Sequence, residues 1–86
     1  MAGVEEVRAG IALANQKASE SVAALQQASM SLEEAQQALA DATQGSGQEE
    51  IMQAHGMLAE ATQSLSGVQG TINASISSTE GYAGRL

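Results

Sequence analysis

The chain has no cysteine, no proline, no tryptophan and no phenylalanine; it has one histidine, His55, and one aromatic residue, Tyr82. Each shortage removes a class of explanation. Without cysteine there is neither a disulfide framework nor a thiolate metal site. A single histidine rules out a multi-histidine metal centre within one chain. With one tyrosine and no larger ring, no aromatic core can form. Positive charge is also scarce: Arg8, Lys17 and Arg85 stand against ten acidic residues, for a net charge of −7. Holding nucleic acid requires Lys and Arg to neutralise phosphates, and three cations cannot do it. An anionic membrane surface would repel the chain for the same reason. No apolar run approaches the ~20 residues that cross a bilayer, so no membrane insertion is expected. The start, Met-Ala-Gly-Val-Glu-Glu-Val-Arg-Ala-Gly, has neither a basic beginning nor an apolar stretch. It is not the pattern of a Sec-type signal, so the expected location is the cytoplasm, or outside the cell by a route that cleaves no signal.

Eighty-six residues make one domain. A domain this small buries only roughly 60% of the surface its unfolded chain exposes. With disulfides and metals excluded, the common remedy left is oligomerisation or docking on a partner.

What the chain does have is alanine, glutamine and a repeat. From Ala9 to Ala42 glycine is nearly absent and the composition favours helix. Val4, Ile11, Ala18, Leu25, Leu32 and Leu39 follow one another at intervals of seven. Three residues after each come Val7, Ala14, Ser21, Ala28, Ala35 and Ala42. This is a heptad abcdefg with larger residues mostly at a and small ones mostly at d, held over about five and a half repeats. The acids of this stretch fall at b and c, on the outer side. Ser31 and Glu34 have capping-box spacing, but the heptad runs through them unbroken, so one helix is expected, ~60 Å long at ~1.5 Å per residue.

The second half repeats the device. Ile51, Leu58, Leu65, Ile72, Thr79 and Leu86 are seven apart, and Ala54, Ala61, Val68, Ser75 and Tyr82 take the d positions. The phase breaks between the halves, because Leu39 to Ile51 is twelve residues. There the chain reads Gly45-Ser46-Gly47-Gln48-Glu49. Gly45 suits the left-handed residue that ends a helix. Ser46 and Glu49 have the spacing of a capping box that starts the next one. The expected layout is therefore all-α: a helix over about 4–43, a turn over about 44–47, and a helix from about 48 to about 80 or to the C-terminus. A short connection makes long helices antiparallel neighbours. The product is a two-helix antiparallel hairpin with an alanine-rich coiled-coil seam, expected to assemble into a four-helix or larger bundle. Small d residues let helices approach to the near end of the ~8–10 Å interaxial range.

The second arm carries another row. Gly67, Gly70, Ala74, Ser77, Gly81 and Gly84 recur at three and four, at c and f, opposite the seam. Each interior glycine costs ~1 kcal/mol against alanine, so the row is either a close-packing face for a partner or the mark of a poorly helical end. Other residues lie off the seam too: Leu13 at c, Val22 and Ile76 at e, and Met30, Met52 and Met57. Val22 and Ile76 widen the apolar stripe, and exposed methionine suits adaptable binding surfaces. Two helices cannot bury all of them, which points to a further protein contact.

No pattern asks for a cofactor, and none converges on chemistry. The turn lacks the Gly-Lys-Ser/Thr ending of a phosphate loop. Counted from Asp41 as a calcium loop, it puts Gly45 at position five and Met52 at position twelve, where oxygen ligands belong. His55, at e, has no carboxylate three or four residues away. The pairs Glu5–Glu6, Glu33–Glu34 and Glu49–Glu50 are adjacent on helices, so their side chains diverge by about 100°. No base stands ready to activate a serine. A non-catalytic interaction protein is the expected class.

An acidic, cysteine-free chain of this length, rich in Ala, Gln and Ser, with two long helices about a glycine turn, resembles the small WXG-type hairpin proteins of bacterial type VII (ESX) secretion. Gly45-Ser46-Gly47 stands where that family has Trp-x-Gly, so the glycine matches and the tryptophan does not. Tyr82 is followed at the fourth residue by Leu86, where exported members carry an acid. The resemblance implies dimerisation with a similar chain into a four-helix bundle, and export without a cleaved signal, as an effector or adaptor. Secretion-needle subunits have a similar layout, a short hairpin that polymerises. By that likeness the chain would be a filament or shell subunit.

Overall fold

The computed structural model describes residues 3–86. Two helices account for almost all of it, α1 (Val4–Ala42) and α2 (Glu49–Gly84), packed against each other as an antiparallel hairpin. The molecule is a rod measuring 63 × 18 × 15 Å. Its radius of gyration is 19.4 Å, against about 12 Å for a compact chain of this length.

The ends form as elementary electrostatics requires. Gly3 is extended, and its carbonyl accepts the Val7 N–H to open α1. Glu5 and Glu6 occupy the first turn of α1, and Glu49 and Glu50 that of α2, where carboxylates favour the positive end of the helix dipole. At the far end of α1, Thr43 donates its N–H to the Leu39 carbonyl, and its hydroxyl donates to the same oxygen at 2.6 Å. Gly45 then takes φ +79°, the left-handed turn that alanine would resist.

The capping-box expectation for Ser46 and Glu49 is not met. α2 starts two residues later than Ser46 as cap would require, with Gln48 in the cap position and no side-chain cap bond. Ser46 belongs to the turn instead: its N–H donates to the Thr43 carbonyl at 2.9 Å, and its hydroxyl accepts the Gln48 N–H at 3.5 Å. At the other end α2 runs unbroken to Gly84, through the glycine row, so the arm is helical and not a frayed tail.

The seam differs from the expected one in an instructive way. The a column is turned inward as expected: Ile11, Ala18, Leu25, Leu32 and Leu39 on α1 and Ile51, Leu58, Leu65, Ile72 and Thr79 on α2 are half-buried. Its ends, Val4 and Leu86, are exposed. The second inward column is e, not d. Asn15, Val22, Ser29, Gln36 and Thr43 on α1, and His55, Thr62, Gln69, Ile76 and Ala83 on α2, are half-buried. Of the expected d residues only Val7, Ala28, Ala54 and Ala61 are half-covered; Ala14, Ser21, Ala35, Ala42, Val68, Ser75 and Tyr82 are exposed. The residues at d and e, three and four after each a position, flank it about equally, and one neighbouring arm covers one flank. Apolar bulk does not choose between them: Val22 and Ile76 at e lie in the seam, while Val68 and Tyr82 at d stay exposed. What e adds is a polar pairing across the arms, Gln36 with Thr62.

Two hydrogen bonds across the seam fix its register. The Gln36 amide donates to the Thr62 hydroxyl at 3.1 Å. The Thr79 hydroxyl donates to the Asn15 amide oxygen at 2.8 Å. Extended by heptads from the first pair, this register sets Thr43 level with His55, Ser29 with Gln69, and Val22 with Ile76. Apolar layers from a thus alternate with largely polar layers from e.

Candidate interaction surface

Among the described residues, none is fully buried. The accessible surface is 6030 Å², whereas a compact monomer of this mass exposes about 4,700 Å². Roughly 1,300 Å² of surface is thus left open beyond the usual measure, and its chemistry is unevenly spread.

Handedness sorts it. Because right-handed helices running in opposite directions present equivalent heptad positions to the same side, an a/e seam places both d columns on one broad face of the hairpin and both b columns on the other. The b face carries Glu5 and Glu33 from α1 and Glu80 from α2, with Met52 exposed among them. The outer columns c, f and g hold the other seven acids. The d face carries none: it reads Val7, Ala14, Ser21, Ala28, Ala35 and Ala42 along α1 and Ala54, Ala61, Val68, Ser75 and Tyr82 along α2. It is an uncharged strip of small and apolar side chains running the length of the rod.

The three cations have local partners. Arg8 pairs with Glu5 at 3.2 Å and Lys17 with Glu20 at 3.5 Å, each three residues apart and exposed, so neither pair contributes much to stability. The Arg85 guanidinium lies 6.0 Å from the centre of the Tyr82 ring, at the outer limit of a cation–π contact.

The off-seam residues singled out in the sequence do not form one patch. Val22 and Ile76 are in the seam. Leu13 and Met30 are exposed on the outside of α1, Met52 on the b face, and Met57 beside the d face. Nor does the hairpin use the glycine row. A Cβ added at Gly67, Gly70 or Gly84 would meet nothing within 4 Å, and one at Gly81 would touch only the Arg85 side chain at 3.9 Å. Ala74 and Ser77 are exposed beside them. His55 is half-buried in the seam next to the turn. No three His, Asp or Glu side chains among the described residues stand together as metal ligands do, and no described helix is long and apolar enough to cross a membrane.

The signal for the d face was present in the heptad. It required treating Val22 and Ile76 as seam residues rather than as additions to a seam already complete. Comparison with family models, with curated proteins and with solved structures finds no match to this chain.

Proposed function

We propose that the protein is a non-catalytic helical interaction protein, which associates with a copy of itself or with a similar helical hairpin into a bundle. The observation that carries this reading is that no described side chain is fully buried. In this 86-residue rod even Leu25, Leu32, Leu58 and Leu65 keep part of their side chains open to water, so one hairpin has little apolar burial to set against the entropy of ordering two long helices. Covering the open flank of the a column adds to it. Sedimentation of the purified protein at micromolar concentration tests it. A dimer or larger species is expected, with a thermal midpoint that rises with protein concentration. A monomer that unfolds cooperatively at a midpoint independent of concentration would sink the proposal.

A second reading, a WXG-like effector or adaptor of a type VII-like system exported without a cleaved signal, is favoured by the hairpin of two nearly equal arms about the turn at Gly45-Ser46-Gly47. It requires a partner that contributes the export signal. Detection of the protein only inside cells whose export system is active would count against it. A filament or shell subunit is the reading that the open glycine row favours, and electron microscopy showing only discrete particles removes it.

A further inference from the structure

We infer that the d face is the contact surface, that its occupant is a second copy of this chain laid face to face, and that the opposite, b face stays in solvent. The inference rests on the self-association proposed above and adds to it which side of the rod is covered, and by what.

Position a lies between e on one flank and d on the other. The other arm already covers e. A chain laid on the d face covers d and the open flank of a in one step, completing the apolar stripe of roughly 100° or more that a core-facing helix presents. A chain laid on the b face would leave that flank wet. Charge points the same way. Each copy carries −7, so the contact between two of them has to keep carboxylates apart. Face-to-face packing through b would place Glu5, Glu33 and Glu80 of both copies in the contact, whereas the d columns carry no carboxylate. The surface is also of sufficient size. A rod of 63 × 18 Å offers a footprint of about 1,100 Å², and a stable dimer needs about 800 Å² from each partner. A two-fold contact has to be self-complementary. Here it joins two uncharged strips, with alanines such as Ala35 permitting close approach and exposed Val68 and Tyr82 supplying apolar area.

Matched charge insertions provide the test. Ala35→Glu and Val68→Glu each place one carboxylate on the d face; Ala12→Glu and Ala59→Glu each place one on the b face. All four positions are exposed in the hairpin, and glutamate is a good helix former, so the fold of one chain tolerates each. In sedimentation at micromolar concentration, wild type and the two b-face variants are expected to remain associated. The d-face variants are expected to dissociate, with a dissociation constant raised at least ~100-fold by the carboxylates left unpaired in the contact. Because the chain has no cysteine, Ala35→Cys and Ala59→Cys give a check free of charge effects: the Cys at 35 is expected to react slowly with a thiol reagent at high protein concentration and rapidly on dilution, and the Cys at 59 rapidly at both. An associated wild type whose b-face variants dissociate, or whose d-face variants do not, overturns this assignment and leaves self-association standing. A wild type that is monomeric at every concentration overturns both.

Discussion

The glycine row of α2 gives the most informative single experiment. Gly67 and Gly70 lie inside a helix that continues to Gly84. Neither has a positive φ, and a Cβ added at either meets nothing within 4 Å. Alanine should therefore fit at both without any neighbour moving, and the free-energy change reduces to helix propensity, about 0.8–1.0 kcal/mol per site in alanine's favour. The sites are three residues apart on an exposed surface and do not compete for space, so the double variant Gly67→Ala, Gly70→Ala should gain about 2 kcal/mol. At roughly 2.1 cal/mol/K of unfolding entropy per residue, the whole chain changes by about 0.18 kcal/mol per degree. The thermal midpoint should then rise by about 10 °C. Circular dichroism melts at one fixed protein concentration read this directly, since association also moves the midpoint. The sedimentation coefficient should be unchanged. A lower midpoint, or weakened association, would refute the reasoning, because it would mean that another chain packs against these glycines and that the contact face is c/f rather than d.

Gly45→Ala and Gly47→Ala should move stability in opposite directions although both positions are open. The first forces alanine to φ +79° and should cost about 1 kcal/mol, whereas the second mainly restricts the unfolded chain and should be neutral or favourable by up to about 1 kcal/mol; paired urea titrations compare them. Replacing the cross-arm pair together, Gln36→Leu with Thr62→Val, should raise the midpoint modestly, by no more than about 1 kcal/mol of stability, because the half-exposed layer exchanges one hydrogen bond for apolar contact. Ile76→Ala should cost about 1–2 kcal/mol, as expected of a half-buried side chain, and chemical denaturation should show a smaller loss for Met30→Ala, whose side chain is exposed. Asp41→Asn, at the negative end of α1, should gain a few tenths of a kcal/mol, a gain that added salt diminishes.

The hairpin itself was legible from the sequence, because a seven-residue apolar repeat interrupted once admits few other folds. The inward a column and the glycine that reverses the chain were legible for the same reason. The second seam column was not. The residues three and four after an a position, at d and at e, flank it alike, and periodicity alone weights them equally. Each column also carries apolar bulk, Val68 and Tyr82 at d against Val22 and Ile76 at e. The seam has e, where Gln36 and Thr62 make a bond across the arms that alanines at d cannot make. The capping pattern misled for a related reason. Ser46 and Glu49 have the right spacing, but Gly45 and Gly47 surround the serine with turn geometry. Its hydroxyl accepts the Gln48 N–H within that turn, before the helix begins.

The polar layers then acquire a purpose beyond joining the arms. A seam of leucines alone can slide by a turn at little cost, since each leucine meets another equally apolar side chain after the slip. A bond from Gln36 to Thr62 and another from Thr79 to Asn15, far apart along the rod, are both lost if one arm slides. This is the registry role best attested for polar groups at helix interfaces. Register matters here because the d face is composed from both arms. Sliding α2 by a turn would move Val68 and Tyr82 about 5.4 Å along α1. Each would then face different α1 neighbours across the d face. Within one hairpin the slip would also set the a leucines of one arm level with polar e residues of the other, and would strain the short turn that joins the arms. In the face-to-face pairing proposed above, every layer would be misplaced twice, once on each chain. The polar layers thus hold in place the d face on which that proposed contact depends.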